Sequence, residues 1–231
     1  MTKTYRWYPA IGAVFVTCLI VSNIIAVKIA AFGPFFLPAA VIIFPVSYIF
    51  GDILTEVYGY ARTRQVIWTG FACNLFAVIA IWIGGELPAA PFWTAIYRSP
   101  EEAQAAYDAI LGFTPRLLAA SFAAYLIGEF LNSFVLAKMK IATGGRHLWA
   151  RTIGSTLLAQ LADSAVFITL AFAGIFPAAD IARLVVTQWL AKSAYEAAAT
   201  PITYGVVNTL KRVENEDYYD RETDFSPLKL N

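Results

Sequence analysis

The groups in this chain that could do chemistry are acids embedded in apolar surroundings. Asp52 and Glu56 stand four positions apart in a run from Phe44 to Tyr60 that is otherwise apolar and aromatic. Four residues is just over one helical turn, so both carboxylates share a face with Tyr48 and Thr55. Three further stripes recur at helical spacing: Ser121, Tyr125, Gly128/Glu129 and Asn132; Thr156, Gln160, Asp163 and Ser164; Gln188, Lys192, Glu196, Thr200 and Tyr204. A charge facing lipid near the bilayer centre costs about 2.5 kcal/mol or more, so these stripes must face one another or water. With Asn23 and Asn74 they outline a polar cavity between helices. Carboxylates accept N–H donors in pairs, and amides or an ammonium donate to an oxo group, so the cavity suits recognition of a small polar solute.

Bond-making chemistry has little support. There is no GxxxxGK[ST] phosphate loop, no G-x-S-x-G elbow, and a single histidine, His147. No catalytic residue, cofactor or metal site is therefore expected. Cys18 and Cys73 fall inside apolar segments and read as packing residues. The net charge of +1 says nothing about nucleic acid, and no basic cluster suggests such a partner.

The elements that must position these groups are membrane helices. Of 231 residues, 59% are hydrophobic and 14% charged, with mean hydropathy +0.61. That composition predicts an all-α polytopic membrane protein, one transmembrane domain over 1–231. Six spans are expected at about 9–31, 36–58, 64–84, 116–138, 153–175 and 182–210. Lys3, Arg6, Arg62, Arg64, Lys138, Lys140, Arg146, Arg151, Lys211, Arg212, Arg221 and Lys229 fall on the side of the termini, against Arg98, Arg116 and Arg183 opposite. The positive-inside rule then puts both termini in the cytoplasm. The long outer connection holds Ser99-Pro100-Glu101-Glu102, a capping signal for a short interfacial helix to about Leu111. Residues after Thr209 read as a solvated acidic tail (211–231).

Depth sorts the polar groups. Glu129, Gln160, Asp163, Lys192 and Glu196 fall near the midplane, Asp52 and Glu56 near the inner end, and Lys28 near the outer end. Bland readings stand beside the functional ones. Lys28 could snorkel, Lys192 and Glu196 could neutralise one another at i,i+4, and the asparagines could be interhelical glue. Asp52 and Glu56 could pair with Arg62 or Arg64, either to hold the inner loop or as a gate. Pro45 and Pro201 are expected to break helices two and six.

The runs Ser22-Asn23, Phe44-Pro45, Gly51-Asp52-Ile53-Leu54-Thr55-Glu56-Val57-Tyr58-Gly59, Gly128-Glu129-Phe130 with Asn132-Ser133, Gln160 with Asp163-Ser164, and the Asp217–Pro227 tail resemble the queuosine precursor transporter family, a vitamin-uptake-type family of six-helix membrane proteins. The run Gly51–Gly59 is the most specific. The resemblance implies import of 7-cyano- and 7-aminomethyl-7-deazaguanine across the bacterial inner membrane for tRNA queuosine modification. The partners are then a deazapurine and the lipid bilayer, with a homo-oligomer left open. Glu129, Asp163, Gln160, Asn23, Lys192, Glu196, Tyr125 and Asn132 are the candidate substrate contacts; Asp52, Glu56, Arg62 and Arg64 are the candidate gate. The alternative is a substrate-capture subunit of an energy-coupling vitamin transporter, which would need a separate ATPase.

Overall fold

The computed structural model describes residues 4–32, 35–94, 96–112 and 115–229. The chain is almost entirely helical. Helix α1 covers Tyr8–Ile25, followed by strands β1 (Ile29–Phe32) and β2 (Phe35–Pro38) and a 3₁₀ turn, η1 (Ala39–Ile42). Then come α2 (Phe44–Tyr58), α3 (Tyr60–Glu86), α4 (Pro100–Leu111), α5 (Pro115–Ala142), α6 (Leu148–Phe172) and α7 (Ala178–Glu214). Among the described residues, five helical stretches are long and apolar enough to cross a membrane: α1, η1 with α2, α3, the stretch containing α5, and α6. At 37 residues α7 is longer still, about 55 Å, but it carries more charge.

The first helix stops at Ile25, short of the expected 31, and the second begins at Phe44, well after 36. Between them the chain is extended, with Ile29 opposite Pro38 and Phe32 opposite Phe35 in antiparallel register. β-Branched Ile24, Ile25, Val27 and Ile29 favour that departure from helix. Lys28 consequently lies outside the helix and is exposed. Pro45 sits in the first turn of α2, where no intrahelical bond is lost, so it breaks nothing. Pro201 does interrupt α7. Helix α4 starts as its capping signal predicts: Ser99 accepts from the Glu102 amide at 3.3 Å, and Glu102 reaches back to the Arg98 amide.

Helix α2 lies at the centre, packed against α1, α3, α5 and α7. Its residues from Gly51 to Tyr58 are all buried. Ile53, Leu54 and Val57 meet Phe15, Leu19, Ile67 and Val207 in the apolar core. Because α2 has no free face, its acids cannot look at lipid.

The tail is not a solvated appendage. Tyr218 donates its amide to the Val57 carbonyl at 3.2 Å, and the buried Asp220 carboxylate accepts the Tyr60 amide at 3.0 Å. Arg64 donates to the Asp224 and Ser226 carbonyls, and the Trp68 indole to the Pro227 carbonyl. Gly59, with φ of 88°, has the Tyr218 ring where a side chain would stand, so this turn needs glycine for both conformation and space. At the same end the N-terminus is tied to the C-terminus: the Trp7 amide donates to Glu214 at 2.6 Å and the Tyr5 hydroxyl to Glu216 at 2.5 Å.

Candidate functional site

Helices α2, α5, α6 and α7 bring their polar stripes together. From α2 come Tyr48 and Asp52, from α5 Glu129, Asn132 and Ser133, from α6 Thr156, Gln160, Asp163 and Ser164, and from α7 Lys192, Ser193 and Glu196. Apart from Lys192 and Ser193, all of them are 4% exposed or less. Tyr48 faces Asp163, Glu129 and Glu196, and Asp52 faces Glu196 and Glu129.

Two glycines make the centre possible. A Cβ on Gly51 of α2 would stand 3.0 Å from the Glu129 carboxylate, and one on Gly128 of α5 would stand 2.6 Å from the Tyr48 hydroxyl. Each helix therefore lays its polar side chain over the other's glycine. The pair 48 and 51 is one turn apart on α2, and 128 and 129 are adjacent on α5, so the interlock is reciprocal.

Part of the cluster is internally satisfied. Lys192 pairs with Asp163 at 2.5 Å rather than with Glu196, its own i+4 neighbour, and its ammonium stands over the Phe44 ring. The Asn132 amide donates to Asp52 at 2.6 Å, and Thr156 donates to Glu196 at 2.6 Å. The rest is not. Both Glu129 oxygens, the second Glu196 oxygen, the Asn132 carbonyl, both polar atoms of Gln160, and the hydroxyls of Tyr48, Ser133, Ser164 and Ser193 are buried without a hydrogen-bond partner among the described residues. Gln160 lies against Glu196 without hydrogen-bond geometry. Buried polar groups are ordinarily paired, at a cost of about 1–3 kcal/mol each when they are not. So many in one place mark a surface built to be completed by something polar.

Two expected contacts are employed elsewhere. Asn23 bonds Asn74 across α1 and α3 at 3.0 Å, the interhelical glue of the bland reading. Tyr125 donates to the Ile67 carbonyl at 2.9 Å and packs in the apolar core, one turn from Glu129.

The Arg62/Arg64 gate is corrected. Asp52 belongs to the central cluster, because α2 starts at Phe44 and places it mid-helix. Glu56, in the last turn, pairs with Arg151 at 2.7 Å, Lys211 at 2.7 Å and Lys140 at 3.5 Å. Arg62 instead donates to the Tyr58 carbonyl and covers the Tyr5 ring, while Arg64 holds the tail. Asp217 of the tail joins the same cations, 2.6 Å from Lys140 and 2.8 Å from Lys211. Partial burial works to raise the Asp217 carboxyl, but the two ammonium groups outweigh it and hold it below the usual carboxylate range. Sequence reasoning missed Tyr48, the three serines, and the Glu56 cations as site members. The signal for Tyr48 was its place one turn before Asp52.

A family described as "Putative vitamin uptake transporter" has a sequence model that matches residues 38–206. That region includes α2 to α6 entire, and α7 as far as Val206. A protein of Bacillus subtilis (strain 168) named "Probable queuosine precursor transporter" is 32% identical over 154 residues, 66% of this chain and 64% of the relative. The aligned region thus spans just under two thirds of that relative's length. No solved structure matches the chain. With the family match running through every helix that supplies the central cluster, the chain belongs to the vitamin uptake transporter family.

Proposed function

We propose that this protein is a carrier that imports queuosine precursors, 7-cyano- and 7-aminomethyl-7-deazaguanine, across the bacterial inner membrane. The observation that carries this reading is the central cluster of buried, unpartnered donors and acceptors around Glu129. A 7-deazaguanine base is a small planar solute whose edge offers two adjacent N–H donors beside an oxo acceptor. Glu129 accepts the donors, Glu196, Gln160 and Asn132 supply further polar contacts, and Asp163 with Lys192 forms a neutralised wall. The name of the Bacillus subtilis relative supports the substrate class. The gate at the end where the termini meet is Glu56 with Arg151, Lys140 and Lys211.

Uptake of labelled 7-cyano-7-deazaguanine into vesicles containing only this protein tests the reading. Accumulation is expected, and Glu129→Gln at equal expression abolishes it. Accumulation that needs an added ATPase module would favour the substrate-capture alternative instead. Wild-type uptake by Glu129→Gln would remove Glu129 from the site.

A further inference from the structure

We propose that Tyr48 is the residue that makes this site select an oxo-bearing base edge, its phenolic O–H donating to the oxo oxygen while Glu129 accepts the N–H groups beside it. The inference rests on the carrier reading above and adds to it a residue and a discrimination rule.

Three of the cluster's donors are already committed. The Lys192 ammonium goes to Asp163, the Asn132 amide to Asp52 and the Thr156 hydroxyl to Glu196. The Tyr48 hydroxyl is not: the residue is 1% exposed and its oxygen has no partner among the described residues. The phenol is also held rigidly. Its ring packs on Phe44 with centroids 5.6 Å apart, and its hydroxyl lies over the backbone of Gly128. Gln160 and the serines keep donors too, but Gln160 lies against Glu196, whereas the Tyr48 hydroxyl lies over Gly128, the residue next to Glu129. The reciprocal glycines bring Tyr48 and Glu129 onto opposed faces of α2 and α5, so a fixed donor and an unpartnered carboxylate stand side by side.

A guanine-type edge runs oxo, N–H, amino: one acceptor, then two donors. It satisfies the phenol and the carboxylate together. An adenine-type edge puts an amino group at the phenol, whose oxygen can accept from it, but sets a ring-nitrogen lone pair against the carboxylate, which is then left without a donor. An edge whose oxo oxygen is replaced by a thione sulfur keeps both N–H donors for Glu129 but offers the Tyr48 hydroxyl a poor acceptor. Sites built to hydrogen-bond a group reject analogues lacking it strongly, because their own polar atoms are left unpaired.

The test measures binding of 7-cyano-7-deazaguanine and its 6-thio analogue, which keeps the ring N–H and the amino group, to purified wild-type protein and to Tyr48→Phe, which keeps the ring and its packing. The wild type is expected to prefer the oxo compound by about 10- to 100-fold. Tyr48→Phe is expected to lose that preference by weakening the oxo compound alone, with the thio analogue unchanged. Equal wild-type affinities for the two compounds would overturn the proposal without any variant. So would Tyr48→Phe with the wild-type preference intact, or with both compounds weakened alike. If neither compound binds the wild type, the carrier reading itself fails and this inference falls with it.

Discussion

Glu56 ends α2 with a single carboxylate oxygen serving three cations, from α5, α6 and α7. Its own side chain is 0% exposed, and those of Arg151 and Lys140 are 1% exposed. A buried ion pair gains little net stability over a well-packed apolar alternative, but breaking one leaves a desolvated charge behind. Glu56→Gln is therefore expected to destabilise the folded protein by about 3–5 kcal/mol, read as a lowered thermal midpoint in detergent. Asp217 reaches the same cations from a 45% exposed position, so Asp217→Asn should cost no more than about 1 kcal/mol. Equal losses in the two variants would show that burial does not set the weight of this hub. The partners of Glu56 lie 84, 95 and 155 positions away along the chain. That distance explains why Arg62 and Arg64, its neighbours in sequence, are the natural but mistaken reading. The central stripe residues were easier to read, since a 3.6-residue period shows which side chains share a face, though not which of them meet across helices.

At the scale of elements, the α2–α5 contact turns on two glycines that leave room for a phenol and a carboxylate. Gly128→Ala places a methyl group 2.6 Å from the Tyr48 hydroxyl, an overpacking that should cost about 1–3 kcal/mol. Tyr48→Phe in the Gly128→Ala background should restore part of that loss, because it deletes the clashing oxygen. A double-mutant cycle on thermal stability measures the coupling, and strict additivity would mean the helices separate rather than interlock. The tail is the other element with a testable role. A carboxyl held lower in the folded chain than in the unfolded one contributes stability above its ordinary range and loses it as the pH falls through its folded-state value. Asp217 is such a group, so acidification below the usual carboxylate range should free the tail from Lys140 and Lys211. Proteolytic cleavage after residue 215 reports that release, and Asp217→Asn should already be cleaved near neutral pH. That the chain is built of long apolar helices was legible because apolar length is a composition signal. The extended stretch after Ile25 was not, because hydropathy is equally high in strand and helix, and Gly33-Pro34 comes too late to mark the break. The packed tail was hidden for the opposite reason: its polar composition looks solvated, while its hydrogen bonds run to backbone groups that sequence does not display.

For the whole molecule, the meeting of the two chain ends constrains how the helices cross. Trp7 and Tyr5 bond Glu214 and Glu216 directly, so the chain leaves the bundle at the end where it entered. That requires an even number of crossings. The stretches of α1, η1 with α2, α3, α5 and α6 meet the length and apolarity a span needs, and we propose α7 as the sixth. Its charges are tolerable because they point inward: Lys192 to Asp163, Glu196 to Thr156 and Lys211 to Glu56. We propose that the end carrying the termini, where lysine and arginine are in excess, is cytoplasmic. Single cysteines in a Cys18→Ser, Cys73→Ser background give the measurement. Glu101→Cys, on the first turn of α4, should react with a membrane-impermeant maleimide in intact cells. Thr4→Cys and Glu222→Cys should react only after permeabilisation. Labelling of Glu222→Cys but not Thr4→Cys in intact cells would make the count odd and remove α7 from the membrane. The central cluster would then lose the helix that supplies Lys192 and Glu196.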